Sequence, residues 1–533
     1  MINFALPVAI SLTAVLGGWG LLTRIALLLK TLPPGPSLLT RIIENRGNEP
    51  LAVKLKRWSQ QYGDVISLMD FVHIGKPTIV LSTPKAAVDL LEKRGNIYSS
   101  RPRNIFAAEV AYRGAKGTLL PMGTKLRRFR TTMSATLSNI PSRKYRLLED
   151  PETKLMLRAY YKKQIQENIG RTYKDPYTLS PSAQHSDNVL TTSRPAMWTS
   201  IPLWRSVTDV LCIDGKGLFT IRVSYYPDSR NLPGSRLVDH LPILSRLPFI
   251  AQWLCREAEE HGAIEERFFR NCIDQAKLAD KSGTALSGSS WHTLERQERF
   301  GYTDLDVALL SSAPYTAGVT TTLGACDALL LAILLYPSVM RRAQDEIDAV
   351  VGPDRLPDFQ DFDTLKYIRA MIKETLRWHP FLPLGIPHAA TEDDVYEGMF
   401  IPAGSTVIAN IYAITRDTEL FPDPEEFKPE RFMDATDPLL KNFNMSFGFG
   451  RRICPGQYVA TDQLFIMISR ILWAFDVRPL KGGPSPLAKH GNWGQVASLS
   501  YELIPRSDHI RSLVIDQAVI AEDDVKAWKN LSY

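Results

Sequence analysis

FGFGRRICPG, residues 447–456, places a cysteine in a loop dense with glycine and arginine, directly ahead of an apolar run. The chain has five cysteines, and the other four (Cys212, Cys255, Cys272, Cys326) stand in ordinary helical or loop surroundings. A lone cysteine is more often a small buried hydrophobe than a ligand. Cys454 differs because the run after Pro455 reads as a helix. That puts its thiol at a helix N-terminus, where free N–H groups and the dipole favour a thiolate. Gly448, Gly450 and Gly456 permit positive φ and let a flat, bulky group come close to the backbone. Arg451 and Arg452 bring positive charge suited to an anionic edge. Together these features describe an axial thiolate site for haem.

The rest of the chain sets the frame for that loop. Its 533 residues are 44% hydrophobic and 23% charged, an ordinary globular composition able to bury a large core. A net charge of +6, from 63 basic and 57 acidic residues, is too mild and scattered to argue for nucleic acid. No C-x-x-C pair suggests zinc and no C-x-x-C-H suggests covalent haem attachment, so the cysteines fit a reducing compartment. Phe4 to Thr23 (FALPVAISLTAVLGGWGLLT) is a charge-free run of 20 residues, about 30 Å long as a helix. No basic residue precedes it and no A-x-A-like cleavage site follows, which favours a retained anchor over a removed signal peptide. Arg24, Lys30, Arg41 and Arg46 come after it, so the remainder is expected on the cytosolic side. The expected organisation is an anchor over 4–29, a hinge over 30–50 built on LPPGP (Leu32 to Pro36), one large domain over 51–510, and a C-terminal tail over 511–533.

Within the domain, Asp64 to Leu81 alternates as a β-hairpin turning near Gly75-Lys76. A long helix is predicted from Thr303, where TDLD supplies a cap, to about Tyr336, with a kink at Pro314. Further helices are predicted over Ser338 to Val350, Leu365 to His379 and Gln457 to Phe475. Val395 to Ile411 reads as two short strands around Pro402-Ala403-Gly404. Ser282 to Ser290 reads as a flexible loop. The Ser/Thr/Pro-rich stretch from 171 to 236 has no sustained period, and reads as a divergent surface region or a flaw in the derived sequence. The fold class is mainly α with a minor β-sheet region.

FGFGRRICPG matches F-x-x-G-x-R-x-C-x-G, and three further motifs follow that pattern's company in order: AGVTTT in the long helix, KETLR with Glu374 and Arg377, and FKPERF with Arg431. By these the chain resembles the cytochrome P-450 family, its microsomal class, over nearly its whole length. The wording around LRWHPFLPLGIPHAATEDDVYEGMFIPAG is similar to fungal secondary-metabolism members. The resemblance implies a single haem-thiolate domain behind a transmembrane helix, with haem b held by Cys454 as the axial metal ligand. It implies propionate contacts from Arg452, His388 and Arg130. It also implies Phe447 against the thiolate, Gly450 and Gly456 in the haem loop, and a structural network of Glu374, Arg377 and Arg431. Glu374 and Arg377, three apart on a helix, share a face in any case.

Two positions depart from the pattern. Leu126 replaces the tryptophan of the W-R-x-x-R helix, and Leu has no hydrogen-bond donor. Ala317-Gly318-Val319-Thr320-Thr321 keeps the threonine as Thr321 but puts Thr320 where an acid belongs. Asp327, seven residues on, lies about 10 Å along the axis and cannot substitute. Thr321 and Thr320 are the catalytic candidates, with ordered water carrying the proton relay in place of the acid. The expected pocket lining is Phe381 to Ile386, Val319 and the 101–118 loop.

The implied activity is insertion of one oxygen atom of O2 into an apolar organic metabolite. NADPH electrons would come through a separate reductase, with cytochrome b5 as a second donor. The implied place is the endoplasmic reticulum membrane, single-pass, with the body cytosolic; the sequons at Asn444 and Asn530 are then expected unused. A rearrangement activity without reductase, or a catalytically weak paralogue, are the alternatives.

Overall fold

The computed structural model describes residues 31–44, 49–69, 76–170, 236–281, 289–480, 496, 499 and 501–531. The apolar run at residues 4–23, most of the 171–236 stretch and the loop at 282–288 lie outside the described residues.

Helices make the body because the apolar residues recur at helical spacing. The site-bearing ones are α1 (Leu51–Tyr62), α2 (Thr124–Leu137), α3 (Arg146–Gly170), α4 (Pro248–Lys281), α5 (Asp304–Ser311) and α6 (Ala313–Leu335). They continue with α7 (Pro337–Val350), α8 (Lys366–Trp378), α9 (Gln457–Ala474) and α10 (Asp508–Leu531). The main core joins Leu329, Leu331 and Ala332 of α6 to Ile347 of α7, Ile368 and Met371 of α8, and Phe465 and Leu472 of α9. By length and composition Asp304–Leu335 could cross a bilayer, but 67% of its most apolar window is buried inside the fold. It is a core helix surrounded on nearly all sides.

The predicted long helix is interrupted at one residue, which divides it into α5 and α6. Thr303 caps α5 with a reciprocal box: its Oγ1 accepts from Asp306 N at 3.1 Å while Asp306 Oδ2 accepts from Thr303 N at 3.1 Å. The chain then breaks at Ser312, because Pro314 in the next first turn has no N–H to continue the ladder. Ser312 itself keeps helical backbone angles, φ −68° and ψ −24°, so Pro314 marks the predicted kink with α5 and α6 as its two arms.

Strands β1 (Val65–Leu68) and β2 (Thr78–Leu81) pair antiparallel, Val65 opposite Leu81, as the hairpin reading required. The sheet order is β1-β2-β6-β3, with β3 at His388–Ala389 and β6 at Thr406–Ala409. Ile79, Val80 and Leu81 are fully buried, so β2 is a central strand covered on both faces. The 395–411 reading needs correction. A separate hairpin, β4 (Asp394–Tyr396) with β5 (Met399–Ile401), turns at Glu397 and Gly398, both at positive φ, and β6 joins the other sheet. Pro402-Ala403-Gly404 is a link between sheets.

The hinge is not a free stalk from residue 31 onward. Pro33 and Pro34 carbonyls accept from Ser67 Oγ (2.6 Å) and Ser67 N (2.9 Å), and Thr31 O accepts from Phe400 N at 2.7 Å. A Cβ on Gly35 would fall 2.0 Å from Ser67 O, which is why the residue there is glycine. At the other end, the stretch read as a tail forms α10. Its Ile510, Val514, Ala518 and Ala521 are buried, and it packs against α3 with an Arg158–Glu522 ion pair. A final hairpin, β7 (Phe475–Pro479) with β8 (Tyr501–Pro505), leads into it.

Candidate functional site

The loop at 447–456 is shaped by its own backbone and by what presses on it. Gly448 has φ +86° and Gly450 φ +54°. A Cβ at Gly450 would meet the carbonyl oxygen of Leu91 at 2.2 Å, so that glycine admits a neighbouring backbone and not a cofactor. Gly456 lies against the cysteine: a Cβ there would stand at ordinary contact distance, 3.9 Å, from Cys454 Sγ. Cys454 N donates to Phe447 O at 2.8 Å, closing the loop. Cys454 lies two residues before the Gly456 N-cap of α9 and is half-buried, as are all of Arg452 to Gln457. Burial pushes its thiol up, while the Gly456 N–H and then Arg130 pull it down.

Positive groups converge beside the thiol. Arg130, from α2, donates to Ile453 O at 2.7 Å. Arg452 donates to Ser99 O at 2.7 Å and Leu120 O at 2.6 Å. His388, on β3, sets Nδ1 2.8 Å from Tyr98 O, the neighbouring carbonyl. A carbonyl only accepts, so Nδ1 carries the proton and Nε2 is bare. Arg101, which the sequence reading placed only in the pocket loop, joins them by donating to Thr118 O, Ile386 O and Pro387 O. Burial and then Arg101 and Arg452 hold His388 down to about 3, so the expected basic residue is a neutral imidazole here. Arg452 is drawn down to about 10 by burial and by Arg130. Among the described residues no carboxylate pairs with Arg130, Arg452 or His388. Two mutually repelling, half-buried arginines, Arg130 and Arg452, without a counter-charge are suited to receive an anion.

The three residues expected to brace the loop meet as expected. Arg377 grips Glu374 with two bonds, Nε to Oε2 at 2.6 Å and Nη2 to Oε1 at 2.8 Å, both side chains fully buried. Arg431 Nε reaches the same Oε1 at 3.2 Å, and Lys428 N donates to it at 2.7 Å. Arg377 also satisfies the carbonyls of Thr415, Pro424 and Glu426. The connection to the cysteine loop comes from Ser446, a residue the sequence reading passed over. Its Oγ donates to Leu376 O of α8 at 2.7 Å, one residue before Phe447. Only its place next to Phe447 could have singled it out.

On α6, Thr321 Oγ1 donates to Ala317 O at 2.8 Å, so its proton is committed and its lone pairs are free. Thr320 is half-buried, and its hydroxyl makes no hydrogen bond among the described residues. Val319 packs with Leu120, Leu126 and Val459, tying this face of α6 to α2 and to the helix behind the cysteine. Leu126 is 6% exposed in that cluster, which explains how the position does without tryptophan: it is apolar core. Phe381 presses its ring on α6 at Gly324, where a Cβ would come within 2.3 Å of it.

A half-buried cysteine, an arginine pair without a carboxylate partner among the described residues and a buried Glu–Arg–Arg brace come together within a mainly helical fold. The family model described as Cytochrome P450 matches residues 235–503. A cytochrome P450 monooxygenase of Armillaria gallica is 34% identical, over 87% of this chain and 86% of its own. The monooxygenase drtD of Aspergillus calidoustus is 34% identical, over 85% of this chain and 80% of its own. A zebrafish cytochrome P450 solved with progesterone superimposes with a TM-score of 0.66 at 23% identity, over 86% of this chain and all of that one. The chain belongs to the cytochrome P450 family. It is an oxidoreductase of the monooxygenase kind, as its fungal relatives are.

Proposed function

We propose that this protein is a membrane-anchored haem-thiolate monooxygenase of fungal secondary metabolism, acting on an apolar organic metabolite. Electrons come from NADPH through a separate reductase, with cytochrome b5 as an accessory donor. The 4–29 segment anchors it in the endoplasmic reticulum membrane and leaves the 51–510 domain in the cytosol. The observation that supports the reading is the arginine pair beside Cys454, Arg130 and Arg452, which has no carboxylate partner among the described residues and so suits an anionic ligand. Haem, when bound, supplies O2 activation and insertion of one oxygen atom, with the thiolate pushing electron density toward the iron.

The chain's own residues do the rest. Cys454 ligates the iron, and the Gly456 N–H on its sulfur tempers the thiolate. Arg130, Arg452 and His388 hold the propionates. His388 already donates from Nδ1 to Tyr98 O, and an anionic cofactor edge would favour protonation of its second nitrogen. Glu374, Arg377 and Arg431 hold the loop in place from below. Thr321, its proton given to Ala317, accepts from water, and Thr320 passes protons inward from that water. A hydroxyl stores no proton at neutral pH, so delivery is slower than through an acid. The test is NADPH-dependent turnover with added reductase, using metabolite extracts from cells with and without this protein. A product one oxygen heavier than its precursor is expected. Consumption of NADPH with no oxygenated product from any extract would overturn the monooxygenase assignment.

A further inference from the structure

Lys116 is an ammonium the fold hides at 3% exposure, yet the haem site does not use it. A buried ammonium persists only where partners replace its water. Two other elements provide them. Glu265 of α4 forms an ion pair with Nζ. Ser312, at the break between α5 and α6, lies 3.4 Å from Nζ, and its hydroxyl proton is shared between Leu309 O at 2.8 Å and Glu265 Oε1 at 3.1 Å. The same stretch of α4 touches the 104–116 segment twice more. A Cβ on Gly262 would fall 1.9 Å from Ala111 O, so glycine lets the segment lie directly on the helix. Glu266 pairs with Arg113, but that arginine is 56% exposed and the pair adds little.

The ends of the segment are fixed at the candidate site. Arg452 holds the carbonyls of Ser99 and Leu120, and Arg101 holds that of Thr118. The segment thus spans from the arginine pair to α4. Its start is held by Asp239, which accepts from Ile105 N and Phe106 N, and by apolar packing on Cys255 and Ala258. Its end is held by the buried Lys116 ammonium at Ser312, five residues before Ala317. We propose that Lys116, Glu265 and Ser312 form a latch. Closed, it seals the 104–116 segment against α4 and α6; open, it admits bulky ligands to the site. Opening hydrates both Lys116 and Glu265, which offsets much of the lost attraction, so the pair is a reversible fastening. The latch rests on the reading that 101–118 borders the substrate site.

The test uses the full chain loaded with haem and two nitrogenous haem ligands of different girth, imidazole and a triaryl imidazole, followed by their spectral shift in stopped flow. In Lys116→Met the bulky ligand associates about tenfold faster, in Ser312→Ala about threefold, while imidazole is unchanged. The exchange K116E with E265K restores the wild-type rate to within about twofold. Amide exchange of 104–118 in the haem-loaded protein rises in step with the ligand rate. Unchanged bulky-ligand rates in both single variants, with or without a lower Tm, overturn the latch and leave the site reading intact. A wild-type chain showing no shift with either ligand overturns the site reading and the latch with it.

Discussion

The cysteine loop is held from outside itself, whereas α6 is held by its own composition. Residues 447–456 include little that is fully buried apart from Phe449; their shape comes from Leu91 O at Gly450, Ser446 on α8, Arg130 on Ile453 O, and the Glu374 brace. α6 is apolar almost throughout, and most of its residues from Thr322 onward are buried. Hydrophobic burial is non-directional and fixes a helix without fixing the chemistry it presents. Hydrogen-bonded braces fix positions to fractions of an ångström. That difference explains where the family pattern is kept in this chain and where it is not. The cysteine loop and its Glu374 brace keep every specified residue, whereas the departures, Leu126 on α2 and Thr320 on α6, fall on helices held by apolar packing.

The largest effect should come from removing the brace. Glu374→Ala leaves Arg377, fully buried, without its carboxylate, at a cost of about 3–5 kcal/mol. Thermal unfolding and haem content report it: little folded, haem-loaded protein is expected, and a variant as stable as wild type would break the contrast. Restoring the family's tryptophan comes next. Leu126→Trp forces an indole into a packed cluster and costs about 1–3 kcal/mol, read as a lower Tm. A gain in stability would mean that Leu126 leaves room for the missing donor.

Glu149 on α3 offers a smaller and pH-dependent effect. It is 1% exposed beside Gln463 and the Arg146–Asp462 pair of α9, and burial, then Asp462, push its carboxyl well above the usual range. In the unfolded chain the same group ionises near 4.3. Between that pH and its folded value the unfolded state gives up a proton that the native state keeps, so stability is lost as pH rises through this window. Glu149→Gln removes the loss. The variant should be more stable at pH 8 by about 1 kcal/mol, with the difference closing below about pH 4. Equal Tm values at pH 8 would show the carboxyl is not held neutral. The smallest effect is across the site: Thr320→Asp should raise product formed per NADPH consumed by about threefold. No change would mean the hydroxyl and its waters already suffice.

Much of the braced side was legible in the sequence, because its residues lie in short motifs with fixed offsets: F-x-x-G-x-R-x-C-x-G, Glu374 with Arg377, and Arg431. Helix ends were legible where the chemistry is local, as with the Thr303 box. What stayed hidden depends on partners distant in sequence. Lys116 meets residues 149 and 196 positions away, and nothing around it in the chain announces them. His388 reads as basic until burial and two arginines show that it is neutral. The 395–411 stretch contains strands for two sheets, and period-2 alternation cannot say which neighbour a strand takes.

The central claim is that Cys454 gives its thiolate to haem iron. The reduced carbon-monoxide difference spectrum of the full chain, beside that of Cys454→Ser, tests it most directly. The wild-type protein should show the red-shifted band of a thiolate-ligated haem, and the serine variant should lose it while keeping its fold. A wild-type spectrum without that band, or a serine variant that retains it, would contradict the assignment.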